Sequence, residues 1–216
     1  TTYNKKCRDS ILSHYKYLTN YFSSKFILEE NNKMIIDYIN LYEDLCSPKS
    51  IVMNVSLYGY AKEIKRKIVV NNNITIDKFC RAVIASMNGD MSHLYTIKMN
   101  KKWFDENILD EKLTYLELQV GTKFSVIYDY GDNWKFDIKV SKLIDGYSDK
   151  EFEIMTGIGC GIIDDCGGVY GLQNVFNDES DFESCNINDF NLAELQKLVE
   201  EELKIDNLHI DRNDYY

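Results

Sequence analysis

Residues 122–142, TKFSVIYDYGDNWKFDIKVSK, decide how the rest of the chain is read. Lys123, Ser125, Ile127 and Asp129 alternate with Phe124, Val126 and Tyr128, the period of two expected of a half-buried strand. Gly131-Asp132 then supplies a strong turn signal, and residues 133–142 (NWKFDIKVSK) read as the returning strand. A hairpin of this kind seeds an antiparallel sheet.

Upstream, HLYTIKM (93–99) reads as another strand. Before it, Ile76, Phe79, Cys80, Val83, Ile84 and Met87 recur at helical spacing. Thr75 offers that helix an N-cap and Asp77 a first-turn carboxylate that favours the positive end of the helix dipole. Residues 51–60 (IVMNVSLYGY) and 62–70 (KEIKRKIVV) are two further strands, and Asn71–Asn73 turns the chain into the helix. Leu113–Leu118 has room for one helical turn.

Downstream, residues 155–174 are glycine-rich and read as irregular. A C-terminal helix follows, with Leu192, Leu195, Leu198, Val199 and Leu203 on one face and an Asn191/Glu194 capping box. At the other end, Cys7, Ile11, Tyr15, Leu18 and Phe22 mark one amphipathic helix. Met34, Ile35, Tyr38, Ile39, Tyr42 and Leu45 mark a second. The only proline, Pro48, breaks the chain after them. The organisation expected is a helical appendage over 1–48 and a domain over 49–216. The fold class expected is α+β: a mixed, mainly antiparallel sheet with packed helices, preceded by an N-terminal helical hairpin.

Composition narrows the function classes. The net charge is −10, and residues 176–216 hold 12 Asp+Glu against 3 Lys+Arg, so nearly all the acidic excess sits at that end. General attraction to DNA or RNA depends on Lys and Arg displacing condensed counterions, and this balance argues against a general nucleic-acid binder, leaving only local basic patches. The 16 Tyr and 10 Phe accompany many Asn, Lys and Ile and reflect compositional bias rather than a stacking surface. No apolar run approaches the roughly 20 residues that span a bilayer, and no apolar stretch of a secretory leader follows TTYNKKCRDS. The six Cys, at 7, 46, 80, 160, 166 and 185, do not form a disulfide framework, so a reducing, cytoplasmic setting is expected.

Three constellations could carry chemistry. In the hairpin, Tyr128, Asp129, Tyr130, Asp132 and Trp134 form an acidic–aromatic group. Its carboxylates could hold a divalent cation or orient a ligand against Trp134, or they could only bond the local backbone while Trp134 packs the core. In the glycine-rich segment, Cys160 and Cys166, with Cys185 and nearby carboxylates such as Asp164 and Asp165, could hold zinc, although structural zinc sites favour CxxC-like pairs and four N/S ligands, and His is scarce. The alternative is a tight, glycine-demanding loop with free thiols. No phosphate-loop lysine follows it, and no strand-to-helix context is visible there. His93 could serve as a base or ligand beside Asp129, Asp132 or Asp165, or as a hydrogen-bonded structural group. No GxSxG serine is present.

Three segments together resemble the plasmid pRiA4b ORF-3-like family: ITIDKFCRAVIASMNGDMSHLYTI (74–97), IYDYGDNWKFDI (127–138) and DDCGGVYG (164–171). The likeness extends over about 52–205, includes FNLAEL (190–195), and leaves the helical N-terminus outside. It implies an α+β domain found on plasmids, insertion sequences and microbial chromosomes, and no established activity. Phe136 stands where the family usually has His, and Cys160 is displaced by one position from the family's first Cys. Both departures count against a metal or acid–base role.

These features point to a non-enzymatic protein-interaction or binding module of mobile-element type, with a protein partner or a second copy docking on the helical hairpin. Two readings from other classes stand beside it. One is an acidic inhibitor of a host nucleic-acid-targeting system, imitating nucleic acid through the C-terminal surface that includes Glu200-Glu201-Glu202. The other is a metal-assisted hydrolase built on His93, Asp129, Asp132 and Asp165. No cofactor beyond zinc at Cys160 and Cys166 is suggested.

Overall fold

In a computed structural model, residues 33, 47–104, 108–179, 182 and 186–205 are described, and the expected N-terminal helical hairpin lies outside them. All but Lys33 and Ser47 belong to the compact unit Pro48–Tyr216. Strand β1 (Lys49–Leu57) turns Ile51, Met53, Val55 and Leu57 into the core and leaves Asn54 outside. β2 (Lys65–Asn71) pairs with it antiparallel, with Ser56 opposite Lys65 and Ser50 opposite Asn71. The chain then enters helix α1 (Ile76–Ser86), where the Thr75 hydroxyl accepts the Lys78 amide and Phe79, Cys80, Val83 and Ile84 are fully buried. Burying Phe79 alone contributes about 2–3 kcal/mol.

After α1 come β3 (Tyr95–Met99), the two-residue β4 (Lys102–Trp103) and a 3-10 turn at Leu113–Leu116, close to where the sequence put a helical turn. β5 (Lys123–Tyr128) and β6 (Trp134–Asp145) form the expected hairpin, followed by β7 (Phe152–Ile158), α2 (Gly168–Phe176) and α3 (Leu192–Lys204).

The seven strands lie in the order β4-β3-β5-β6-β1-β2-β7. All six pairings are antiparallel, so the expected mixed sheet is in fact wholly antiparallel among the described residues. The connection through α1 explains this. It carries the chain from β2 to β3, which three strands separate, so the strand–helix–strand passage creates no parallel neighbours. Both α1 and α3 pack on β7 and on each other, and α1 also covers β3 and β5, closing the core over one face.

Two elements correct the sequence reading of 155–174 as irregular. β7 is an edge strand, so Phe152 and Ile154 are buried while Met155 and Thr156 are exposed, and its alternation fades after four residues. α2 is masked by glycine, a poor helix former. Gly171 is nevertheless demanded there, because a Cβ would lie 1.6 Å from the Cys166 carbonyl oxygen. β5 also departs from simple alternation. Ser125 and Ile127 are buried as well as Phe124 and Val126, since β5 lies between two neighbours and the Ser125 hydroxyl donates to Asp137.

Polar groups finish the edges. Arg66 is buried without a carboxylate partner in hydrogen-bonding reach: its Nε donates to Ser86 O, Nη1 to Lys65 O and Ile158 O, and Nη2 to Gly159 O. Phe190 stacks 4.8 Å from the guanidinium, and burial holds the Arg66 pKa down at about 10, still charged at neutral pH. On α3, Asn191 Oδ1 accepts the Glu194 amide as expected of the N-cap, while the return bond to the Glu194 carboxylate comes from Asn191 Nδ2 rather than from its backbone N–H. Leu192 is exposed, so the apolar face of this helix is narrower than its sequence implies. From the middle of α3, Gln196 reaches the open side of β7: its Oε1 accepts the Ile154 amide at 2.8 Å and its Nε2 donates to Phe152 O at 3.4 Å. Among the described residues no helix is long and apolar enough to cross a membrane.

Candidate functional site

Three turns converge at one end of the sheet: the segment between α1 and β3, the tip of the β5–β6 hairpin, and the loop before α2. In the first, Asp90 Oδ1 accepts both the amide and the hydroxyl of Ser92, an Asx-type turn that sends the chain toward β3. In the second, Asp129 adopts φ 52°, a left-handed conformation that Asp tolerates better than most residues, and Asn133 adopts φ 54°. Asp129 Oδ1 accepts the Gly131 amide at 2.8 Å, and the Asp129 amide donates to Leu94 O, tying the hairpin tip to the start of β3. In the third, Asp165 sits at φ 57° and the Gly167 amide donates to Asp132 Oδ2 at 3.1 Å. Gly168 permits that approach, since a Cβ there would lie 2.3 Å from Asp132 O. The strand–loop–helix context that the sequence did not reveal is therefore present at β7–α2, without a phosphate-loop lysine.

The result is a cluster of carboxylates around one imidazole. His93 Nε2 lies 3.1 Å from Asp165 Oδ1 and 3.7 Å from Asp129 Oδ2. One ligating atom from each of these three residues falls within 4.8 Å of the others, so together they could hold one metal ion. Asp129 is buried, His93 partly exposed and Asp165 exposed, which gives the cluster a floor and an open side. Tyr128 supports the floor: its ring meets the His93 ring edge-on at 5.9 Å and its hydroxyl donates to Asp90 Oδ1 at 3.0 Å.

Electrostatics differ sharply between neighbouring carboxyls. Burial pushes Asp90 up, but bonds from Ser92 and Tyr128 outweigh it and hold its carboxyl below the usual range. Asp164 goes the other way. Burial raises it to about 6, the nearby charge of Asp90 adds to this, and the bond its Oδ2 accepts from the Asp90 amide only partly opposes them. Its Oδ1 is buried with no hydrogen-bond partner. Burial also raises the Tyr128 hydroxyl and lifts the Cys166 thiol to about 11, with the charge of Asp132 adding to the latter.

The sequence-predicted residues divide accordingly. His93, Asp129 and Asp165 meet directly; Asp132 and Asp164 bond the loops that carry them. Trp134 is fully buried core rather than a ligand wall, and Tyr130 is exposed. The Sγ atoms of Cys160 and Cys166 donate to Gly161 O and Gly168 O. Among the described residues neither joins a group of three ligating side chains. Asp90 and Ser92 were missed; the Asn88-Gly89-Asp90-Met91-Ser92 run is the turn signal that points to them.

The triple glutamate of α3 is not a bare acidic patch. Glu200 pairs with Lys150 at 2.8 Å, Glu201 with Lys197 at 3.6 Å and Glu202 with Arg81 at 3.7 Å.

Comparisons with known proteins fit this picture. The chain is 25% identical over 132 residues to the uncharacterized protein y4hQ of Sinorhizobium fredii (strain NBRC 101917 / NGR234), covering 56% of this chain and 68% of that one. The fold is similar to the crystal structure of a protein of unknown function, MM3350, from Methanosarcina mazei Go1. The TM-score is 0.58 at 20% identity, over 68% of this chain and 98% of the other. The family model for plasmid pRiA4b ORF-3-like proteins matches residues 49–212, and the chain belongs to that family.

Proposed function

We propose that this domain is a binding module whose ligand site is the His93–Asp129–Asp165 cluster, and that the ligand is a divalent cation. The observation that carries the proposal is the meeting of one ring nitrogen and two carboxylates from three separate turns within 4.8 Å. One imidazole with carboxylate oxygens suits Mn²⁺ or Zn²⁺ better than a soft, thiolate-seeking ion. A bound cation relieves the repulsion among the clustered carboxylates.

Native mass spectrometry of the full chain, after equilibration with Mn²⁺ or Zn²⁺, tests this. One added ion per chain is expected, lost in Asp129→Asn and in Asp165→Asn. An unchanged mass at millimolar metal overturns the reading and returns attention to protein partners.

A metal-assisted hydrolase is the second reading, favoured by Asp164. Its carboxyl lies half-buried beside the cluster, and its Oδ1 has no hydrogen-bond partner, which leaves one oxygen to take or give a proton. A cation held at His93, Asp129 and Asp165 would supply an acidified water. Turnover of a generic phosphodiester or ester, abolished by chelation and by Asp129→Asn, would favour the hydrolase over the simple module.

A further inference from the structure

The face of the sheet opposite the described helices carries a group of lysines. A cleft of about 620 Å³ opens there, lined among the described residues by Lys98, Lys101, Lys123, Lys135 and Lys139, with Asp137 as the single carboxylate, paired to Lys135 at 2.8 Å. We infer that this cleft binds single-stranded nucleic acid.

Register places the groups. Lys123 lies directly opposite Lys139, and Lys139 is followed across the sheet by Asn54 and Lys67. The neighbouring row runs Lys98, Ser125, Asp137, Ser56, Lys65. Two rows of ammonium, amide and hydroxyl groups thus cross the strands, each step one strand spacing of about 4.8 Å. Like charges directly opposite each other destabilise a strand pair. Lys123 and Lys139 break that rule in mid-sheet, which is expected where an anionic partner supplies the missing counter-charge.

Aromatic rings choose among anions. Trp103 is 50% exposed with Lys98 Nζ 4.5 Å from its ring centroid, and Tyr58 is 57% exposed with Lys135 Nζ 4.6 Å from its own. Two exposed rings, each held by a lysine of the cleft, offer stacking surfaces to unpaired bases while the ammonium groups follow the phosphates. A duplex hides its base faces, and an acidic polypeptide gains nothing from the rings. The net charge of −10 does not oppose this locally. At about 0.1 M salt a surface charge is felt over only about 10 Å. The sequence argued only against a general nucleic-acid binder and left local basic patches open, and this cleft is such a patch.

Fluorescence anisotropy of a labelled oligothymidylate of about 15 nucleotides against the full chain, with chelator present to silence any cation site, is the test. With Lys135 already paired to Asp137, four lysine contacts predict a slope of log K on log salt near −2.8, so affinity falls about 50-fold between about 50 and 200 mM salt. Lys123→Ala with Lys139→Ala should weaken binding at least tenfold and flatten the slope, and should raise the urea midpoint because the like-charge pair is gone. Trp103→Ala or Tyr58→Ala should each weaken binding about tenfold with little change in slope. No saturable binding at low salt, or binding indifferent to the lysine pair, overturns the inference. Equal competition by an oligoglutamate overturns it too, and makes the cleft a dock for acidic polypeptide.

Discussion

His93 Nε2 and Asp165 Oδ1 lie 3.1 Å apart although 72 residues separate them in sequence. The contact exists because β3 begins beside the tip of the β5–β6 hairpin, while the glycine-rich start of α2 folds back over that tip. Removing the imidazole should therefore affect binding and little else. His93→Ala is expected to lower Mn²⁺ or Zn²⁺ affinity at least tenfold, read by isothermal titration. An exposed bond of this kind contributes only about 0–1 kcal/mol, so the urea midpoint should barely move. A large loss of stability with unchanged metal affinity would make His93 a structural group.

Asp164 predicts a pH dependence. Its carboxyl titrates at about 6 in the folded chain against an ordinary 3.8. Between those values the folded chain holds a proton that the unfolded chain has released, so the stabilisation present below about 4 is lost as pH rises through 6. Asp164→Asn should remove this dependence. After allowance for partial solvent screening, the variant should gain about 1–2 kcal/mol relative to the parent at pH 7, with little difference at pH 4. Urea melts in chelator at both pH values decide the point.

Arg66 is the cation whose loss should cost most. Arg66→Met keeps much of the side-chain bulk but leaves the carbonyls of Lys65, Ser86, Ile158 and Gly159 without its donors. A loss of about 3 kcal/mol or more in unfolding free energy is expected. A loss below about 1 kcal/mol would mean that water enters and replaces the guanidinium.

Gly168→Ala probes the clamp between α2 and the hairpin. The added methyl meets Asp132 O at 2.3 Å, and the residue has φ 67°, so both space and backbone oppose it. A destabilisation of about 2 kcal/mol is expected, with weakened cation binding because Asp165 travels with the displaced loop. Tight metal binding in a destabilised Gly168→Ala chain would separate the clamp from the site.

Much of this fold was written in short-range patterns. Thr75 and Asn191 cap the helices their spacing promised, and Gly131-Asp132 turns between the expected strands. β7 and α2 were hidden for different reasons. β7 buries only one side at an edge, and α2 contains glycines placed for close approach rather than for helix propensity. The site was half legible. Its residue types could be named one by one, and the sequence proposed His93 near Asp129 and Asp165. It could not rank that trio above Cys160 and Cys166, because which loop folds over which turn is a tertiary fact. The lysine cleft left no local signal: its members come from three strands and a turn, and only register lines them up.

The Gln196 side chain, bonded along β7 to Ile154 and Phe152, stands in for a missing eighth strand. An exposed edge would invite strand addition by another chain, and here the template is already occupied by an amide carried on a helix. Any incoming strand on that side must first pry α3 away. The opposite border ends in β4, only two residues long, which offers a foreign strand almost nothing to zip against. Among the described residues both borders of the sheet are thus blunted, and edge-to-edge pairing of copies through them should be disfavoured.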